Sequence, residues 1–372
     1  MNIAKILLLC ALGVALSGCS DGIHSNTTGA VTLRSYNGSA SVGDFMTVVL
    51  DPGKHTLSYT DATNGESGTV PYIVNADGTY ALQDPSGNLT LAYEVPGDAV
   101  VIAATALGPQ KNSPALITAL SSGPITHATF AARTYNYIQF RTSAGGVELG
   151  SVDIDPSGSR SISSYTPYTA TMRRESPFQL RHASAESDVL DPTGTFMRIG
   201  DLSGNGSDAD MFGVANGVFA IDSPEGTIYA SPQAILPTFN SANSGTYKAL
   251  YYEKKNVTVG KSGVETSNPT LSSATVALDQ DANFTVTDAT HHTLLTGTLI
   301  PVANATYLYG SSAKLGSACP GLFTVRTTTL ASQQDVFVTF TGKSMLFASF
   351  TAALPLNGGS PYSYLYGVGM RQ

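Results

Sequence analysis

The chain has 372 residues, of which 42% are hydrophobic and only 12% are charged, and its formal net charge is −8 at pH 7. A typical soluble domain carries about 25% charged residues. Hydroxyl and amide groups must therefore solvate much of this surface, which favours strands over helices stabilised by ion pairs. With 19 Lys and Arg against 27 Asp and Glu, the chain lacks the basic surface that nucleic-acid binding requires, so no nucleic acid is expected among its partners.

The N-terminus has the features of an export signal. A short positive segment, residues 1–5, precedes an apolar stretch at residues 6–16, which is shorter than the ~20 residues that a spanning helix needs. The stretch runs into the tetrapeptide LSGC, which ends at Cys19 and resembles the lipobox of bacterial lipoproteins. The resemblance implies that residues 1–18 are a signal peptide and that Cys19 carries the lipid, palmitate included, that holds the mature chain at a membrane. An N-terminal membrane anchor is the alternative.

The residues after Cys19 refine this expectation. Ser20, rather than Asp, follows the lipidated cysteine, a pattern that the same resemblance associates with the outer membrane if the host is Gram-negative. Residues 19–29 are polar and without apolar periodicity, which predicts a tether between lipid and fold. Because Cys10 leaves with the signal, Cys319 has no partner for an intramolecular disulfide, and we expect it to pack as a small apolar side chain.

From residue 30 onward, short apolar and β-branched runs alternate with turn residues. Runs such as residues 45–50 and 336–340 are separated by turn sequences such as Asp155-Pro-Ser-Gly158. This spacing predicts an all-β fold with two antiparallel β-sandwich or β-barrel-like domains after the lipidated tether. The best candidate for a short helix is residues 113–121 (SPALITALS), a segment that also fits a strand.

Two hairpins of similar pattern bear on the number of domains. Residues 74–84 and 278–288 place apolar residues and Asp at identical spacing, which indicates an internal duplication, with chance similarity between hairpins as the alternative. We therefore predict β domains at residues 30–160 and 191–372. Residues 161–190 lack strand periodicity and are predicted to be a linker or long inter-domain loop. The basic residues of this segment, interpreted as a solvated surface, are Arg173, Arg174, Arg181 and His182.

Most signatures of catalysis are missing from the sequence. It contains no Walker loop, no Cys-x-x-Cys and no pair of His one helical turn apart. The adjacent His291 and His292 are expected in an exposed hairpin loop. These observations favour a non-enzymatic, lipid-anchored binding or structural protein of the cell envelope, with an unknown glycan or protein as its ligand. The alternatives are an envelope glycan hydrolase whose paired carboxylates meet only in the fold, and a lipocalin-like carrier with an apolar cavity at a barrel mouth.

One loop is a candidate metal site. Asp201, Ser203, Asn205 and Asp210 lie in a segment that resembles the calcium loop of integrin-type FG-GAP repeats, in which alternating oxygen ligands precede a glycine. The resemblance implies a calcium site. However, the final acid does not stand at position 209, where the motif would place it, and the loop occurs once. Both facts favour an Asx-rich surface turn without any cofactor.

Two groups of tyrosines are spaced two residues apart, so that each group shares one strand face. The groups are Tyr135 with Tyr137, and Tyr362 with Tyr364 and Tyr366. Aligned aromatic rings with hydroxyl tips suit contacts with a carbohydrate or a protein. Packing at a sheet edge or across a domain interface is the alternative.

Overall fold

Antiparallel strands make up most of the described residues, which confirms the predicted all-β class. The structure is a computed structural model, and the residues that it describes are 32–83, 89–105, 113–140, 147–164, 180–200, 209–224, 226–234, 238–259, 265–266, 268–301, 320–327, 334–351 and 362–372. Within this part of the chain the strands form three sheets, and Thr32–Gln372 is one compact unit.

The first sheet is a closed eight-stranded barrel, the N-terminal barrel, in which each strand pairs with its sequence neighbours and the first pairs with the last. Its strands are Arg34–Ala40 (β1), Asp44–Asp51 (β2), Thr56–Asp61 (β3), Glu66–Val74 (β4), Tyr80–Gln83 (β5), Leu89–Val95 (β6), Ala99–Thr105 (β7) and Pro114–Ser121 (β8). The segment that fitted either a helix or a strand is therefore β8. Its alternating residues Ala115, Ile117 and Ala119 face the barrel interior, the period of two that a strand requires.

The second sheet, the middle sheet, has nine strands in the order β12-β11-β10-β9-β17-β16-β15-β14-β13. A one-turn helix, α1 (His127–Phe130), precedes it. The strands are Arg133–Phe140 (β9), Val147–Ile154 (β10), Arg160–Ser164 (β11), Leu180–Ala183 (β12), Val189–Leu190 (β13), Phe196–Ile199 (β14), Ala209–Gly213 (β15), Phe219–Ser223 (β16) and Gly226–Pro232 (β17). The central pairing of β9 with β17 joins the two halves of this sheet.

The third sheet contains a second closed barrel, the C-terminal barrel. Its ring is formed by β18 and β20 to β26, because β18 pairs with both β20 and β26. The strands are Gly245–Val259 (β18), Glu265–Thr266 (β19, paired to the end of β18), Pro269–Leu278 (β20), Asn283–Thr287 (β21), Thr293–Pro301 (β22), Leu322–Thr327 (β23), Gln334–Phe340 (β24), Ser344–Thr351 (β25) and Tyr362–Arg371 (β26).

The three sheets share one apolar core. Outward-facing residues of the N-terminal barrel such as Val101, one face of the middle sheet including Phe140, and outward-facing residues of the C-terminal barrel including Tyr366 belong to the same buried cluster. The rings of Phe140 and Tyr366 are stacked with centroids 4.6 Å apart. Because every sheet buries one of its faces in this cluster, the interior of each barrel is a separate compartment.

The chain passes from one sheet to the next at residues other than the predicted domain boundaries. The chain leaves the N-terminal barrel after residue 121 and enters the C-terminal barrel at residue 245. The predicted linker, residues 161–190, includes parts of β11, β12 and β13, which are strands of the middle sheet. Sequence periodicity was weak there because β12 and β13 are only 4 and 2 residues long. The two similar hairpins join β4 to β5 and β20 to β21, so they occupy different positions in their barrels.

A buried carboxyl group lies where the N-terminal barrel meets the middle sheet. Ser39 of β1 donates a hydrogen bond of 2.5 Å to Asp222 of β16, and the Ser39 hydroxyl lies 2.6 Å from that of Thr227 in β17. Burial is the main cause that raises the pKa of Asp222 well above its usual range, and the nearby carboxylates of Asp210 and Asp44 raise it further. The carboxyl group is therefore protonated in the folded protein at pH values where it is ionised in the unfolded chain.

This shift makes Asp222 a cause of pH-dependent stability. The folded state binds more protons than the unfolded chain, so the contribution of Asp222 is fully present at low pH and declines as the pH rises through the folded pKa. We expect Asp222→Asn, which keeps an acceptor for Ser39, to be more stable than the wild type at pH 8 and to lose less stability between pH 5 and pH 8. Urea unfolding of the wild type and the variant at both pH values checks this. If both proteins lost the same stability between pH 5 and pH 8, the role of Asp222 would be contradicted.

Candidate functional site

The interior of the C-terminal barrel holds a cavity of about 320 Å³ with mostly apolar walls. Alternate residues of its strands face inward, as barrel geometry requires. The apolar walls include Val276, Phe284, Leu299, Val338, Met345 and Phe347. Cavities of this size and lining are typical of sites for small ligands, which span roughly 300–1,000 Å³.

Small residues on three neighbouring strands face the barrel interior beside this cavity. Ala249 of β18 lies opposite Ala274 of β20 and opposite Gly369 of β26. A Cβ atom at Gly369 would lie 3.2 Å from Cε of Met345 and 3.3 Å from Cβ of Tyr247, so the glycine faces the barrel interior. Of these residues Ala274 lines the cavity, so a large side chain at that position would project into it.

Aromatic rings close one end of the C-terminal barrel. Phe323 and Phe340 pack edge to face with their centroids 5.8 Å apart, and Phe239, from the segment before β18, contacts both rings at 6.3 and 6.2 Å. Tyr247 lies against Phe340 at 6.1 Å and donates a 2.7 Å hydrogen bond to the carbonyl of Asn243. These contacts close the barrel end at which β18 begins, so we expect a ligand to enter from the opposite end.

Polar groups lie at that opposite end, where β18 extends beyond the apolar wall. Glu253 and Lys255 both line the cavity and form an ion pair of 3.0 Å. Tyr251 also lines it, and burial raises the pKa of its phenol, an effect that a hydrogen bond from Ser272 opposes. Leu294, another lining residue, is 51% exposed. Among the described lining residues, this mouth combines the apolar Leu294 with the cation of Lys255, the anion of Glu253 and the neutral hydroxyl of Tyr251.

The N-terminal barrel has the same strand number but carries a buried ion pair in its interior. Glu94 of β6 points inward with its side chain 1% exposed, and Arg34 of β1 donates to it at 2.8 Å. Tyr80 donates to the same carboxylate at 2.5 Å, and the Tyr36 hydroxyl donates to its other oxygen. Burial and the acceptor carboxylate raise the pKa of both phenols, so both remain protonated donors. The inside of this barrel is therefore charged and hydrogen-bonded, whereas the cavity of the C-terminal barrel is mostly apolar.

A wider polar depression lies on the middle sheet, with a volume of about 540 Å³. Arg160 lines it, but its guanidinium makes two hydrogen bonds of 2.7 Å to Asp188, which also lies 3.2 Å from Nε2 of His127. The side chains of Arg160 and Asp188 are 2% and 0% exposed. Because this charge is neutralised inside the protein, and because most residues that line the depression are polar, the apolar cavity is the better candidate site.

Several carboxylates serve as turn caps. Asp155, Asp279 and Asp288 each accept hydrogen bonds from the backbone N–H groups two and four residues later, at 2.8–3.0 Å. Side-chain hydrogen bonds, from Asn283 to Asp279 and from Thr290 to Asp288, are the main cause that lowers the pKa of these two groups. These carboxylates stabilise loops by the Asx-turn mechanism, a structural role that does not require a second carboxylate.

Most of the sites predicted from sequence lie elsewhere or outside the described residues. Cys19, Cys319 and three of the four calcium candidates, Asp201, Ser203 and Asn205, are outside them. The fourth, Asp210, lies in β15, 3.5 Å from Arg198 and opposite Asp222 in the next strand. The described residues contain no group of three or more His, Cys, Asp or Glu side chains that suits a metal ion.

The histidine and tyrosine predictions have clear outcomes. His291 and His292 lie in the exposed loop between β21 and β22, as expected. Four of the aligned tyrosines pack inside the fold instead of forming a contact surface, with exposures of at most 2%: Tyr135, Tyr137, Tyr364 and Tyr366. Their spacing correctly placed them on shared strand faces, but all these faces are buried.

Within the described ranges, no helix is both long and apolar enough to cross a membrane.

Comparisons with known proteins yield only distant structural likenesses. Two variants of Transferrin Binding Protein B from Haemophilus parasuis align at 8% and 9% identity over 92% of this chain and 76% and 77% of theirs, each with a TM-score of 0.26. A DNA polymerase III β chain from Streptococcus pneumoniae aligns at 10% identity over 91% of this chain and 92% of its own, with a TM-score of 0.12. No family model and no curated protein matches the chain.

Proposed function

We propose that this protein is a lipid-anchored binding protein of the bacterial cell envelope, and that its C-terminal barrel takes up a small apolar ligand. The observation that carries the binding role is the contrast between the two barrels. One has a buried ion pair with its tyrosines inside it, whereas the other has an apolar cavity of about 320 Å³ with polar groups at its mouth. The lipocalin-like carrier, one of the alternatives that the sequence left open, is the function that this geometry supports best.

The cavity would bind its ligand chiefly by the hydrophobic effect. Burying each methylene group contributes roughly 0.8 kcal/mol. The walls are formed on strands of a closed barrel, so little reorganisation is needed when a ligand enters. Glycan hydrolysis has less support, because Asp155, Asp279 and Asp288 accept backbone hydrogen bonds within their own turns.

Calorimetric titration of the full chain with n-octanol tests the binding role. We expect saturable binding of one octanol per chain. The control is 1,8-octanediol, which has the same chain length but must bury a second hydroxyl without a hydrogen-bond partner, a cost of roughly 1–3 kcal/mol. It should bind at least about fivefold more weakly. Absence of saturable octanol binding, or equal binding of the diol, would exclude an apolar ligand site in the barrel.

The anchor rests on the LSGC sequence that ends at Cys19. Several acyl chains on one cysteine suffice for stable membrane attachment, whereas a single chain is marginal. Ser20 in the following position supports the outer membrane as the destination in a Gram-negative host. In this arrangement the membrane is the partner of the N-terminus, and the ligand is the partner of the barrel.

Labelling cells with radioactive palmitate tests the anchor. The wild-type chain should incorporate the label and sediment with membranes, and Cys19→Ala should lose both properties completely, because the lipid is attached at that thiol. Cys319→Ala is the matched control and should be labelled like the wild type. Labelling that persists in Cys19→Ala would show that the lipobox prediction is wrong.

A further inference from the structure

The polarity of the C-terminal barrel changes in one direction along β18. Inward-facing residues of this strand run from Tyr247, at the closed aromatic end, through Ala249 and Tyr251 to Glu253 and Lys255 at the mouth. The first two are completely buried, whereas the Lys255 side chain is 68% exposed. A ligand that matches this order has an apolar tail, which enters first, and one polar group, which stays at the mouth.

The size of the cavity limits the length of that tail. A water molecule takes up about 30 Å³ in the liquid, so a cavity of about 320 Å³ corresponds to about ten non-hydrogen atoms. Medium-length chains therefore fit, and much longer chains would have to leave part of their length in water.

The mouth also discriminates between polar groups. Of the ion pair, Lys255 is the more exposed partner, at 68% against 19% for Glu253, so its ammonium group meets an incoming head group first. The Tyr251 hydroxyl lines the same cavity and is a second donor. Because burial raises the pKa of this phenol, it keeps its proton at neutral pH. Both groups suit a head group that accepts hydrogen bonds, and Lys255 favours a negative one.

Building on the apolar binding site proposed above, we propose that the ligand is a medium-chain carboxylate amphiphile of about ten non-hydrogen atoms, with its tail in the C-terminal barrel and its carboxylate at Lys255 and Tyr251. Glu253 sets the position of Lys255 through their ion pair and repels the same carboxylate. Removing the charge of Lys255 should therefore lower the affinity for the carboxylate ligand, and removing the charge of Glu253 should raise it.

Calorimetric titration with three ligands of equal chain length tests this proposal: octanoate, n-octanol and octylammonium. On the full chain at pH 7, octanoate should bind more tightly than octylammonium. Lys255→Gln should weaken octanoate about threefold and leave octanol unchanged, since exposed ion pairs contribute up to about 1 kcal/mol. Glu253→Gln should tighten octanoate and weaken octylammonium. The control is Lys54→Gln, which removes an 80% exposed lysine paired with Asp51 at 3.3 Å on the other barrel.

The outcomes separate this proposal from the binding role itself. If octanol binds but octylammonium binds as tightly as octanoate, or Lys255→Gln affects octanoate no more than Lys54→Gln, the carboxylate proposal is wrong and the apolar site stands. If none of the three ligands binds, both are wrong. Palmitate, which has a 16-carbon chain, is the length control. If palmitate bound as tightly as octanoate, the size limit would be contradicted.

Discussion

Replacing Ala274 with Phe is expected to weaken octanol binding about 50-fold. Ala274 of β20 lines the cavity and lies opposite Ala249 of β18. A phenyl ring at this position points into the cavity and takes the place of part of the ligand. If it displaces three methylene groups at about 0.8 kcal/mol each, the lost binding energy is about 2.4 kcal/mol, which is about 50-fold in affinity.

Ala277→Phe is the matched control for this variant. It introduces the same ring on the same strand, but Ala277 faces outward and is exposed. We expect it to bind octanol like the wild type. Thermal melting of both variants establishes that the fold is intact. Equal binding by Ala274→Phe and the wild type would show that the ligand does not occupy the barrel interior.

Replacing Glu94 with Ala should cause the largest loss of stability among the changes considered. The carboxylate accepts hydrogen bonds from Arg34, Tyr36 and Tyr80 inside the N-terminal barrel. Its removal leaves three donors without their acceptor. Removing one partner of a buried ion pair costs roughly 3–5 kcal/mol. Because the Arg34 side chain is 25% exposed and water can reach it, we expect a loss near the lower end, about 3 kcal/mol.

Urea unfolding of Glu94→Ala measures this loss, with Glu66→Ala as the matched control. Glu66 begins β4 of the same barrel and is exposed, so its replacement should change the free energy of unfolding by less than about 0.5 kcal/mol. Octanol affinity of Glu94→Ala, measured where the variant is folded, should equal that of the wild type. Equal stability of the two variants would contradict the role given to the buried network.

The class of fold was predictable because it depends on local pattern. Alternating apolar residues correctly predicted strands, and turn sequences such as Asp155-Pro-Ser-Gly158 correctly predicted where strands end. The connection between strands was less predictable. The two barrels close through β1 with β8 and β18 with β26, contacts between residues far apart in sequence, and no local signal shows where a sheet closes.

The candidate site was harder to predict for a related reason. Ala274 and Met345 line the cavity from strands about 70 residues apart in sequence, and each is an ordinary residue within its own strand. The change from Tyr251 to Glu253 and Lys255 along one strand face is visible in the sequence. It becomes informative only when the remaining strands show that this face is the inside of a barrel.

The same limitation explains the tyrosine hypothesis. The two-residue spacing of Tyr135 and Tyr137 correctly places both on one face. Whether that face contacts water or a neighbouring layer depends on the tertiary packing of segments that are distant in sequence. Here α1 contributes Phe130 to the cluster that covers them, so the aromatic face stabilises the fold and is not available for a ligand.

The proposed ligand lies in the C-terminal barrel and not in the N-terminal one. Methionine methyl groups report on both, since Met345 lines the cavity and Met46 is buried inside the N-terminal barrel. In spectra of the full chain labelled with ¹³C at the methionine methyl groups, saturating octanoate should shift the Met345 signal and leave the Met46 signal in place. A shift at Met46 with Met345 unchanged would contradict the account.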